Sequence, residues 1–174
     1  KNEAARYRIG EGLAAYRSGE YREARGAFSG AMIADDSAIS SAAHFGMGNT
    51  LFQLGWQGLA DQSYPTEPSE VPDLARFETL VKERLARMKQ SDEESVGRSE
   101  EYRRMDSLMV NWADSVRHYG SAIKLTPSDK GAAQNRETTM IYLRKLRELL
   151  QEEKKQADQE MPQMGQGKGG QPNE

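Results

Sequence analysis

Apolar residues recur at helical spacing through most of the chain. Between Met105 and Ile123 the positions Met105, Leu108, Met109, Trp112, Val116, Tyr119 and Ile123 fall on one side of a helix, which Thr126-Pro127 closes. Leu74, Phe77, Leu80, Val81, Leu85 and Met88 mark one face of another, from about Pro72 to Gln90. A last helix opens near Ser128-Asp129, with Ser128 as its expected cap, and Ile141, Leu143, Leu146, Leu149 and Leu150 continue it. It becomes charged beyond Gln151. Ser91 to Ser99 is polar and reads as a loop or frayed turn. Residues 161–174 are rich in Gln, Gly and Pro, with too little apolar surface to offset the ordering entropy, and are expected to be disordered.

The first half of the chain contains a repeat. Gly12, Tyr16, Gly19, Ala24 and Phe28 return 36 positions later as Gly48, Phe52, Gly55, Ala60 and Tyr64. The spacing is near the ~34 residues of a helix-turn-helix repeat. Gly12 and Gly48 are expected where two helices touch, and Gly19 and Gly55 where a first helix ends in a left-handed residue. A second register lies 91 positions on, where Tyr21, Glu23, Phe28 and Ala31 return as Trp112, Asp114, Tyr119 and Ala122. The second helix pair is therefore read as interrupted by an insertion at about 56–108. Pro65, Pro68 and Pro72 limit any helix begun at Trp56 to a short turn. Trp112 is then expected against the helix that carries Phe52.

These residues resemble the tetratricopeptide repeat family. Gly12, Gly19-Glu20-Tyr21, Ala24, Phe28 and Ala31 follow its pattern in one repeat, and Gly48, Asn49, Gly55 and Ala60 in the next. Trp112, Tyr119, Ala122 and Pro127 match a second helix, with Ser115 in place of the usual Ala. Asp36 stands where Pro is usual, and Glu137 where the third repeat would carry Gly. The resemblance implies an all-α, short helical-hairpin solenoid over 1–160 with an inserted helical segment, followed by the tail. A narrower likeness, in Gly48-Asn49-Thr50-Leu51-Phe52, Ala122 to Pro127 and the Gln/Gly-rich end, is to bacterial aerotolerance (Bat-type) operon proteins. It implies a periplasmic or membrane-anchored envelope protein. The chain opens at Lys1 as if inside a helix and reads as a fragment.

Composition narrows the chemistry. Lys and Arg total 24 against 27 Asp and Glu, a net charge of -3, which gives no basic balance for nucleic acid. There is no cysteine, so disulfides and thiolate sites are excluded. No apolar run reaches the ~20 residues of a membrane span. His44 and His118 have no metal-ligand spacing and read as core or surface residues. No nucleophile elbow, phosphate loop, dinucleotide fingerprint or calcium loop is present. Neither an enzyme nor a cofactor is expected.

The expected function is to hold a protein or peptide partner on the concave face, where such solenoids bind. By the family's pattern that face carries Ile9, Leu13, Tyr16 and Arg17, then Phe45, Asn49, Phe52 and Gln53, then Gln134 and Thr138 with Asn135 beside them. Aromatic residues would anchor a side chain and Asn would bond a peptide backbone. For Tyr16 and Phe52 packing between helix pairs is the alternative. Ile9 and Leu13 occupy positions where some family members place a carboxylate clamp, so chaperone-tail binding is not expected. The Leu74 to Met88 stripe either packs on the helical body or forms a helix-in-groove contact with a partner or second copy. A self-association module that makes a homo-oligomer is the competing reading.

Overall fold

The computed structural model describes residues 1–90 and 95–160. The expected disorder from Met161 onward lies outside the described residues. Among the described residues the chain is all-α. Its helices are α1 (Asn2–Arg17), α2 (Tyr21–Ala31), α3 (Ser37–Ala60), α4 (Leu74–Gln90), α5 (Ser95–Leu125) and α6 (Lys130–Glu160), with a short 3-10 turn at Pro68–Glu70 before α4.

Each early boundary has a local cause. Gly19 takes a left-handed φ of 76° just past α1, and Glu20 donates its N–H back to the Ala15 carbonyl at 2.9 Å, so the chain reverses at once into α2. Asp36 departs from the repeat pattern because it caps α3. Its Oδ1 accepts the Ala38 and Ile39 N–H groups at 2.9 and 3.3 Å. At the start of α6 the cap is Asp129, not Ser128, and its Oδ1 accepts from Ala132 N–H at 2.9 Å. A carboxylate suits that position because it also meets the positive end of the helix dipole.

Two expectations about α3 need correction. Gly55 does not end a helix, and the segment from Trp56 is no short turn, because α3 continues to Ala60. Trp56 and Leu59 are almost fully buried, so tertiary burial extends the helix past a residue of low helical propensity. Gly55 is a contact residue instead. A Cβ there would lie 2.4 Å from Trp112 Nε1. Gly48 has the same role against Tyr119, whose Cε1 would stand 2.6 Å away, and Gly12 and Gly46 admit the Phe28 ring. Three small residues on α3 therefore let α2 and α5 approach on two sides.

α5 runs antiparallel to α3. Ser41 Oγ donates to the Ala122 carbonyl (3.1 Å), Ser115 Oγ to Gly48 (2.7 Å) and Trp112 Nε1 to Phe52 (3.0 Å). The expected pairing of Trp112 with the Phe52 helix is thus present, with the two rings stacked at 5.6 Å. Tyr64 also packs edge-on against Phe52 at 4.9 Å, so the distant helix and the local residue share this groove. α5 starts at Ser95, inside the stretch expected as a loop, while 91–94 lie outside the described residues.

α4, the helix of the expected insertion, closes the core. Phe77, Val81, Leu85 and Met88 are buried against α3, α5 and α6, which settles the stripe as packing within the chain. Leu74 is the exception and is 46% exposed. Outside the core, Lys145 and Lys82 hydrogen-bond Glu78 from α6 and α4, and hold its carboxyl down at about 2.

Candidate functional site

A cleft of about 170 Å³ opens between α1, α3, α6 and the segment after α3. Tyr16, Asn49, Phe52, Gln53, Asn135 and Thr138 line it. These come from three helices separated by most of the chain. Of the expected concave residues, Arg17 and Phe45 are not brought into it. Arg17 is exposed at the end of α1. Phe45 packs beside Tyr119 with ring centroids 6.1 Å apart, over the first turn of α6. Ile9 packs between α1 and its neighbours, Leu13 is exposed, and Gln134 faces solvent.

Asn49 organises the polar side of the cleft. Its Oδ1 accepts two bonds, from the Tyr119 hydroxyl at 2.7 Å and from Asn135 Nδ2 at 2.9 Å. In this arrangement Asn49 Oδ1 is the shared acceptor of the cluster. Among the described residues no protein acceptor takes Asn49 Nδ2, and no protein donor reaches Asn135 Oδ1. Asn49 Nδ2 and Asn135 Oδ1 therefore keep donor and acceptor capacity for another molecule. Burial pushes the Tyr119 hydroxyl far above its usual value, so it stays protonated and keeps donating to Asn49.

Gln53 is structural. It holds the Tyr64 main chain with both ends of its amide, accepting from Tyr64 N–H at 2.8 Å and donating to the Tyr64 carbonyl at 3.5 Å. Its Nε2 also reaches the Tyr16 hydroxyl at 3.5 Å. Burial raises the Tyr16 pKa, so that hydroxyl remains neutral. Phe52 is 8% exposed and lies among Trp112, Tyr64 and Tyr142. It forms the floor of the cleft rather than a free anchor. Tyr64, Pro65, Thr66, Tyr119 and Thr139 also line the space, and none was expected on the concave face, although the register includes Tyr64 and Tyr119. The first three follow α3, where the expected insertion hid them, and Tyr119 was visible only as a packing residue.

The structure also joins the two histidines. His44 on α3 and His118 on α5 bring their Nδ1 atoms to 2.9 Å. The ring centroids are 5.1 Å apart, so the two nitrogens face each other along the line between the rings. One ring must donate and the other accept, which a doubly protonated pair cannot do. Burial lowers both pKa values, and the charge on His44 lowers that of His118 further. The neutral pair therefore stabilises the fold above the ordinary value of 6.5, and that contribution is lost as pH falls through the lowered folded values. Urea midpoints are expected to fall between about pH 7 and pH 5, above the carboxylate range. The fall should shrink in His118→Gln. An equal fall in parent and variant would show that the pair carries no linkage.

Among the described residues no cluster of three or more His, Asp or Glu side chains is arranged to hold a metal ion. Among the described residues no helix is long and apolar enough to cross a membrane. Comparison with protein-family models, characterised proteins and solved structures found no match to this chain.

Proposed function

We propose that this chain is a short tetratricopeptide-like helical module that holds an extended segment of a partner protein in the cleft between Tyr16, Asn49 and Asn135, and that it carries out no catalysis itself. The observation that supports this most is that Asn49 and Asn135, joined by a hydrogen bond in the cleft, leave Asn49 Nδ2 and Asn135 Oδ1 without a protein partner among the described residues. A residue in an extended segment presents its own N–H and C=O to one side, and Asn49 Nδ2 and Asn135 Oδ1 offer the complementary donor and acceptor. The polar groups around the pair are already bonded to one another, so the pair is pre-organised and little ordering entropy remains to be lost on binding.

Size supports the same reading. A cleft of about 170 Å³ is smaller than the ~300–1,000 Å³ pockets that enclose small ligands. It suits one side chain and the backbone beside it. On the narrower resemblance stated above, the partner belongs to a bacterial cell-envelope complex.

The test uses peptides selected from a displayed random library on the intact chain. Asn135→Ala removes half of the pair, and Thr138→Trp fills the cleft from its half-buried edge. Each is expected to weaken a selected peptide by about 30-fold, the equivalent of a ~2 kcal/mol hot spot, with far-UV helicity intact. Unchanged affinity in both variants would move binding away from this cleft.

A further inference from the structure

The opposite side of α3 carries a second groove, unrelated to the cleft. α2 and α5 flank α3 without packing against each other. Between them runs a trough of about 590 Å³ whose floor includes Leu54 and Gly58 of α3. Its walls carry Arg22 and Arg25 from α2 and Arg103 and Arg104 from α5. Glu100 is the one acidic residue among the described residues of the lining. The chain as a whole has a net charge of -3, so this concentration of positive charge runs against its average.

We propose that this groove binds an acidic peptide segment of a partner protein. The α2 wall supplies the free charge. Arg22 and Arg25 are one helical turn apart and exposed, and neither makes a hydrogen bond or ion pair among the described residues. On the α5 wall Arg104 is already committed, to Asp61 at 2.9 Å and to Glu100 at 3.3 Å. An incoming carboxylate would meet two unpaired guanidinium groups, each able to take it with two parallel N–H bonds. The volume falls within the range of ligand-binding clefts. A single-stranded nucleic acid is disfavoured, because no aromatic side chain among the described lining residues offers a surface to stack a base and the net charge of the chain is negative.

The experiment follows a fluorescein-labelled peptide of alternating Glu and Ser by anisotropy on the intact chain, with a Gln-Ser peptide as the neutral control. The Glu-Ser peptide should bind and the Gln-Ser peptide should not, with affinity falling as salt is raised. Arg22→Glu with Arg25→Glu should weaken binding by about tenfold or more, since each change replaces an attraction by a repulsion. Thr138→Trp, which blocks only the other cleft, should leave it unchanged. The proposal is overturned if the α2 double variant binds as the parent does, or if Thr138→Trp abolishes binding. It is also overturned if inorganic phosphate or a single-stranded oligonucleotide displaces the peptide at a concentration below the peptide's own dissociation constant.

Discussion

Trp112→Ala is expected to lower stability by about 3–5 kcal/mol, the largest loss from any single truncation in this chain. Trp112 has no exposed surface and sits where α3, α4, α5 and α6 converge. Its ring lies within 5.6 to 6.5 Å of Phe52, Tyr142, Phe77 and Trp56, centroid to centroid. Its indole N–H bonds the Phe52 carbonyl. Truncation leaves a cavity bounded by rigid rings, which collapse poorly. Gly55 makes the cavity worse, because it has no side chain to move into the space. At about 2–4 °C per kcal/mol for a chain of this size, the midpoint should fall by roughly 6–20 °C. Trp112→Phe keeps most of the packing and should cost clearly less. A loss under about 1 kcal/mol for the alanine variant would mean that α5 does not fill this seam.

Arg84→Met should cost about 2–3 kcal/mol despite its similar length. Arg84 is 2% exposed and belongs to the otherwise apolar face of α4. Nothing in the hydrophobic pattern marks it. Its guanidinium gathers three partners: the Leu59 carbonyl at 2.8 Å, Asp61 Oδ2 at 2.7 Å and both oxygens of Glu101 at 3.1 and 3.2 Å. It thus closes the end of α3, where Asp61 adopts a left-handed φ of 57° and the last carbonyls lack helical partners. The Asp61 carboxyl feels burial, which raises its pKa, but the bonds from Arg84 and Arg104 outweigh this and hold it below the usual range. Methionine would bury the Leu59 carbonyl without a donor. Asp61 and Glu101 keep some exposure to water, with side chains 54% and 20% accessible, so the cost stays below that of a fully buried broken pair. Urea unfolding is the measurement. A midpoint equal to the parent's would show that solvent replaces all three bonds.

What the sequence revealed, and what it hid, follows from range. Gly12 and Gly48 were legible because a helix crossing needs a small residue at a fixed place in each repeat, and the 36-residue register exposes that place. Gly55 fits the same register, but glycine serves both as a helix end and as a contact, and only the position of Trp112 separates the two uses. Asn49 and Asn135 were legible as residues of one face. Their hydrogen bond was not, because it depends on how α6 docks. The His44–His118 pair spans 74 positions and obeys no ligand spacing, so only the docking of α5 on α3 creates it.

The most direct test of peptide capture in the cleft is a ¹⁵N spectrum of the side-chain amides of Asn49 and Asn135, recorded as a library-selected peptide is added. If the cleft holds the peptide, the Asn49 Nδ2 resonances move with peptide concentration and saturate with the same dissociation constant as the backbone amides of α3 and α6 around the cleft. Saturable shifts confined to other surfaces, with the Asn49 amide unmoved, would contradict capture there.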